Sequence, residues 1–293
     1  MAEMSMSLGV ITDGISRDLD QALAVAAEYG LNAAELQYVG SHEVGDADFP
    51  VDADTAHAAR ALGLPISCLS RHLFSGMPVL DTEPGDAAHG QQMAELSHCL
   101  DLAKAWNVPL VRIMCFRKEM ILFGDRGAEE WVVTRGAWTR TLQLLEPAVQ
   151  LASDRGQQLV LETGNSGMIN SAALARRLLD ELGRPEALQI LWDPCNCLYA
   201  GERAWPDGCE AFADGGLGHI HIKDAVVRPA LGSVSCRALG TGDMGPSLPG
   251  LAEFLRASGY AGSISLESVY CPLGGTFADG FRESVGKLKE LFG

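Results

Sequence analysis

Four residues stand out by type and position: Glu162 in Leu159-Val-Leu-Glu-Thr, Asp193 in Ile190-Leu-Trp-Asp-Pro, His221 in His219-Ile-His-Ile-Lys and Glu267 in Ile264-Ser-Leu-Glu-Ser. Each follows a run of aliphatic residues, where a buried strand emerges from its core. Their separations of 31, 28 and 46 residues each correspond to about one strand-plus-helix unit, with extra loop in the last. Adjacent strands would then present adjacent ligands. Three carboxylates and one imidazole converging on a point suit a single divalent cation, Mn²⁺ before Mg²⁺, Co²⁺ or Zn²⁺. Such an ion also removes the repulsion among three carboxylates. Taken singly, an acidic residue at a strand end more commonly caps the next helix. Four in consecutive units point to a site.

The elements that must position these residues repeat along the whole chain. Strand-like runs fall at 8–12, 33–39, 65–69, 109–115, 158–162, 188–193, 217–223 and 262–267, separated by amphipathic or looser segments. The helical segments fall near 18–29, 52–62, 86–106, 128–155, 171–182, 248–258 and from 279, with a looser stretch at 201–214. Pro147 is expected to break the fourth, since a helix interior tolerates proline poorly. Eight strands in strict alternation predict a single (β/α)8 TIM-barrel domain over residues 1–293. A doubly wound open sheet competes, but Asp13-Gly14-Ile15-Ser16 stands where a glycine-rich phosphate fingerprint would follow the first strand. In a barrel the active site lies at the carboxyl ends of the strands, where the quartet sits.

Composition fits this reading. Hydrophobic residues make up 47% and charged residues 20%, enough apolar content to build a large core without disulfides. The eight cysteines are scattered and are expected to be reduced thiols. No run of about 18 apolar residues and no signal-peptide pattern occurs, so a cytoplasmic protein without a membrane partner is expected. A net charge of −16 disfavours nucleic acid as a ligand.

Glu162, Asp193-Pro-Cys-Asn196, His219-x-His221-x-Lys223-Asp224 and Leu266-Glu267 together resemble the sugar phosphate isomerase/epimerase branch of the xylose-isomerase-like TIM-barrel superfamily. Asp18-Leu-x-Gln-Ala-Leu and Gly240-x-Gly-Asp-Met extend the resemblance over nearly the whole chain. It implies one divalent metal on Glu162, Asp193, His221 and Glu267, with no other cofactor, and a sugar or polyol as the small-molecule partner. It also implies Glu162 and Glu267 as acid/base groups, and allows association into a homo-oligomer. Two departures matter: Asn196 stands where ketose 3-epimerases and related DNA-repair endonucleases carry a histidine, and Asp224-Ala-Val-Val lacks the further ligands of the endonucleases. Asn196 can orient a hydroxyl but carries protons poorly.

Around the quartet, strand alternation puts His219, His221 and Lys223 on one face. His219 reads as a supporting or packing residue, and Lys223 as a contact to substrate oxygen or one half of a salt bridge to Asp224 or a loop carboxylate. Arg112 and His72 are expected near the pocket rim, and Glu35 with Gln37 as partners of sugar hydroxyls. Arg71, Arg117, Arg228 and Arg237 are candidates to clamp an anionic group. Trp192 reads as packing between barrel and helices; Trp106, Trp131, Trp138 and Trp205 as packing or rim residues. The Gly-, Pro- and Ser-rich loop 225–247 reads as a lid.

The expected activity is metal-dependent isomerisation or epimerisation of a sugar, ketose or polyol through proton abstraction and an enediolate. The alternatives are β-elimination by a lyase or dehydratase on a keto-sugar, inosose or glycoside, and a non-catalytic sugar-binding subunit.

Overall fold

The computed structural model describes residues 6–121 and 136–293. Trp131 and the first residues of the expected 128–155 helix lie outside them. Eight parallel strands run β1 (Ser7–Val10), β2 (Ala34–Leu36), β3 (Ile66–Leu69), β4 (Leu110–Met114), β5 (Gln158–Glu162), β6 (Leu188–Trp192), β7 (Leu217–Ile222) and β8 (Ser263–Leu266). From β2 to β8 each strand pairs with the next in sequence, and β1 pairs with β8. Between β1 and β2 the ring is completed by a parallel bridge from Ile11 to Glu35 and by Asn32, whose amide donates to Leu8 O at 2.9 Å. This is the expected eight-stranded TIM barrel.

The helices are α1 (Leu19–Glu28), α2 (Ala53–Ala61), α3 (Ala87–Trp106), α4 (Ala137–Asp154), α5 (Ala172–Glu181), the short α6 (Pro194–Cys197), α7 (Leu248–Ala257) and α8 (Phe277–Phe292). Asp18, Asp52, Asp86 and Ser171 cap their helices by accepting the N3 amide, and Thr276 forms a reciprocal capping box with Asp279. Contrary to expectation, α4 continues through Pro147. The carbonyl that Pro147 leaves unserved belongs to Gln143, on the exposed side of the helix, where water can satisfy it. Among the described residues no helix is long and apolar enough to cross a membrane.

Alternation divides the strand residues between two cores. Outward-facing Leu36, Val111, Ile113, Leu161, Ile190, Trp192, Ile220 and Ile222 pack under the helices in the main core. Trp192 meets Phe212 with ring centroids 5.3 Å apart, the packing role its position suggested. Gly208 permits it, because a Cβ there would lie 2.3 Å from Trp192 Cζ2. Inside the barrel, Cys68, Leu110, Val160 and Leu191 form a separate apolar plug. Above the plug the lining turns polar.

Several strands are shorter than expected. β2 stops at Leu36 because Tyr38–Val39 pairs antiparallel with His42–Glu43 in a small hairpin. β6, β7 and β8 end one residue before Asp193, Lys223 and Glu267, leaving these side chains at the mouth.

Candidate metal centre

The register of β7 sets the geometry. His219 and His221 point into the barrel and are fully buried, with Ser265 of β8 directly opposite His221. Across the barrel Glu35 receives both rings, from His219 Nε2 at 2.7 Å and His221 Nε2 at 2.9 Å. Ser70 Oγ donates to the same carboxylate. Burial pushes the Glu35 carboxyl up, but the two imidazoles prevail and hold it well below the usual carboxylate range. An ionised Glu35 can only accept, so each Nε2 carries a proton. The Nδ1 of His221 therefore faces the mouth, 3.5 Å from Glu162 Oε1 and 3.8 Å from Glu267 Oε2.

Glu162 is anchored from below. Arg112 Nη1 donates to its Oε2 at 2.9 Å, while Nη2 donates to Ser70 O at 2.6 Å. Against the desolvation that would raise it, Arg112 and His221 bring Glu162 down to about 2. Asp193 serves two purposes. Its Oδ1 accepts the Asn196 amide at 3.1 Å as the cap of α6, and its Oδ2 points into the site. Burial raises Asp193 to about 7, with Lys223 opposing and the charges of Glu267 and Glu162 adding to the rise. Glu267 is the most open of the four, its side chain 22% exposed. Burial raises it, but Lys223 and His221 leave it net lowered.

One donor atom from each of Glu162, Asp193, His221 and Glu267 lies within 4.8 Å of the others. His221 Nδ1 and Asp193 Oδ2 are buried without a hydrogen-bond partner, although Lys223 Nζ forms an ion pair with Asp193 Oδ2 at 2.6 Å. Buried polar atoms without hydrogen bonds are rare, and three carboxylates beside one imidazole form the donor set of a divalent cation. The residues fit the metal that the resemblance implies. Glu35, His219 and His221 form a second cluster of potential ligands, but their facing atoms are spent on one another. That cluster fixes the orientation of the His221 ring.

The remaining expected residues fall into different positions. Glu35 does face the interior, but both its oxygens are engaged, so it is not free to meet a sugar hydroxyl. Arg112 lies buried beneath Glu162 rather than at the rim. The signal for this was an arginine inside an otherwise apolar strand. His72 is at the rim, bonded through Nδ1 to Glu43 at 2.6 Å and through Nε2 to Gln37 at 3.1 Å. Asn196 Nδ2 bonds Thr163 O at 3.0 Å and lies 3.5 Å from Glu162 Oε1. Lys223 pairs with Asp193 and Glu267, each at 2.6 Å, and not with Asp224. Arg71 is consumed by Asp46, Glu95 and the Val44 carbonyl. Arg117, Arg228 and Arg237 are exposed.

Loop 225–247 is built as an antiparallel hairpin, Asp224–Arg228 with Ser233–Arg237, followed by a tight turn. Sequence reading missed its anchor. Buried Asp224 accepts the amides of Ala225, Gly240, Gly242 and Met244 at 2.8–3.0 Å. Gly242 is required there, since a Cβ would fall 2.4 Å from Asp224 Oδ1. Beside Glu267 opens a cleft of about 490 Å³, lined in part by Ile11, Asp13, Arg17, Gln37 and Phe277.

The family model described as xylose isomerase-like TIM barrel matches residues 23–291. No curated protein matches the chain significantly. Among solved structures, the probable 3-DHS dehydratase AsbF from Bacillus anthracis superposes with a TM-score of 0.73 at 14% identity, covering 97% of this chain and 99% of that one. D-allulose 3-epimerase from Methylomonas sp., in complex with D-allulose, gives 0.70 at 18% identity and 98% of both chains. The IOLI protein with a bound zinc atom gives 0.71 at 14% identity, again over 98% of both chains. A barrel of this topology with its polar centre at the strand ends, matched over nearly its full length by one family model, is a member of the xylose isomerase-like TIM-barrel family.

Proposed function

We propose that the protein is a divalent-metal-dependent enzyme acting on a sugar, ketose or polyol by removing a proton from carbon beside a carbonyl. The observation that carries this is the convergence of one donor atom each from Glu162, Asp193, His221 and Glu267 within 4.8 Å, with His221 Nδ1 aimed by Glu35 to 3.5 Å from Glu162 and 3.8 Å from Glu267. Its structural neighbours include a 3-epimerase bound to D-allulose, the probable 3-DHS dehydratase AsbF and a zinc-bound protein, which supports sugar chemistry beside a metal. Mn²⁺ is the first choice of ion.

Glu162, Asp193, His221 and Glu267 would hold the ion, which when bound supplies a Lewis acid for a substrate carbonyl. Glu267 borders the cleft and is the most exposed of the four, so its carboxylate is the general base. Glu162 is clamped by Arg112 and stays ionised down to about 2, which suits a ligand better than a proton carrier near neutrality. Asn196 beside it cannot take over that duty.

This inequality favours a second reading. Epimerisation through opposite faces of a carbon needs two proton carriers, whereas isomerisation between adjacent carbons or β-elimination can proceed with one. Keto-sugar isomerisation and elimination are therefore the reactions to test first. Keto-sugars and keto-glycosides incubated with the Mn²⁺-loaded protein in deuterated water report exchange and elimination in one spectrum. Glu267→Gln is expected to retain metal and lose exchange by about 10²–10⁴-fold. Exchange at the wild-type rate would remove Glu267 as the base, and a protein that takes up no metal would end the central claim.

A further inference from the structure

Of the three carboxylates at the mouth, only Glu162 has a permanent partner. Arg112 is 3% exposed and pinned to Ser70 O, so it cannot leave Glu162. Asp193 and Glu267 instead share one ammonium, Lys223 Nζ, at 2.6 Å from Asp193 Oδ2 and 2.6 Å from Glu267 Oε2. Both residues belong to the ligand cluster. Lys223 lies just past the end of β7, on the same face as His221 and about 6–7 Å further toward the mouth. Glu267 lies level with it on the neighbouring strand, since Leu266 pairs with Ile222.

We propose that Lys223 is an exchangeable counter-cation: its ammonium neutralises Asp193 and Glu267 until a divalent ion takes those oxygens, and the displaced ammonium then becomes a donor to substrate oxygen in the cleft. The inference rests on reading the quartet as a metal centre. Divalent ions such as Mn²⁺ or Mg²⁺ bind carboxylate oxygens at about 2.0–2.2 Å, so such an ion and an ammonium on the same two oxygens are near neighbours of like charge. One must yield. A lysine can do so cheaply, being a compact charge on a flexible four-carbon stem. The backbone beside it need not move, because Asp224 is locked by the amides of Gly240, Gly242 and Met244. Since the stem starts level with Glu267 and one strand repeat nearer the mouth than His221, a rotation that clears the ion carries the ammonium toward the mouth. Metal loading and completion of the substrate site are then one event.

The test is Mn²⁺ titration by calorimetry of the chelator-treated full chain, comparing wild type with Lys223→Met and Lys223→Gln, each checked by thermal melting. Removing the competing ammonium is expected to tighten Mn²⁺ binding by about tenfold or more in both variants. Equal or weaker binding would overturn this inference while leaving the metal centre standing, and absence of binding in all three proteins would overturn both. A second measurement needs no variant. Acetylation of Lys223 in the wild type, followed by peptide mass spectrometry, is expected to accelerate about fivefold or more on adding Mn²⁺, as the ammonium leaves its ion pairs. A rate unchanged or slowed by Mn²⁺ would overturn the exchange.

Discussion

Two polar layers meet at the His221 ring, and they are built on opposite principles. Below it, Glu35 gathers His219, His221 and Ser70 so that its buried charge is met from several sides, with Ser265 Oγ 3.2 Å from His219 Nε2. Above it, three carboxylates crowd together, and His221 Nδ1 and Asp193 Oδ2 have no hydrogen bond. The same chemistry thus yields a firmly ionised Glu35 in the lower layer and an Asp193 raised to about 7 in the upper, with burial raising both and only the lower one fully answered by donors. The lower layer leaves one ring nitrogen, His219 Nδ1, without a hydrogen bond, but its carboxylate is fully met, and such a layer can be structural. One left incomplete is where function is to be sought.

The largest test of this contrast is Arg112, which joins the layers by holding Glu162 above and Ser70 O below. Arg112→Met strips a buried carboxylate of its partner and is expected to cost about 3–5 kcal/mol, measured by urea unfolding of the metal-free protein. A much smaller loss would mean that Glu162 is held mainly by His221 and Lys223. Next is Glu35→Gln, which keeps the shape but no longer fixes Nε2–H of His221. Mn²⁺ affinity is expected to fall about 10–100-fold, read by calorimetric titration. Unchanged affinity would make the lower layer irrelevant to the upper.

How much of this was legible in the sequence follows from what each feature depends on. The barrel and its strand ends depend on local alternation, so Glu162, Asp193, His221 and Glu267 could be found from aliphatic runs that stop at a polar residue. The role of Glu35 depends on a partner 184 and 186 residues away across the closed ring, and that of Arg112 on register with a strand 50 residues on. Alternation gave Lys223 its face but not its partners. The proline rule fails at Pro147 because it depends on where the unserved carbonyl lies, and Gln143 faces solvent.

Asp224 extends the contrast to the loop, where one buried carboxylate again collects donors, here from as far as 20 residues along the chain. Asp224→Asn places an amide against backbone N–H groups and is expected to cost about 1–3 kcal/mol in thermal or urea unfolding. Faster hydrogen exchange at Gly240, Gly242 and Met244 should accompany it. Protection that persists at all three amides would show that the turn is held by the hairpin alone.

The smallest effect separates support from orientation within the lower layer itself. Ser265 Oγ lies 3.2 Å from His219 Nε2, a nitrogen already bonded to Glu35 at 2.7 Å. Ser265→Ala therefore removes a secondary contact and is expected to cost about 0.5–1.5 kcal/mol in unfolding. Mn²⁺ affinity should stay at the wild-type value, because the bond from His221 to Glu35 is untouched. If calorimetry instead found the metal weakened as much as by Glu35→Gln, His221 would be aimed by the whole layer acting through His219, and Ser265 would belong with the ligand's orienting groups.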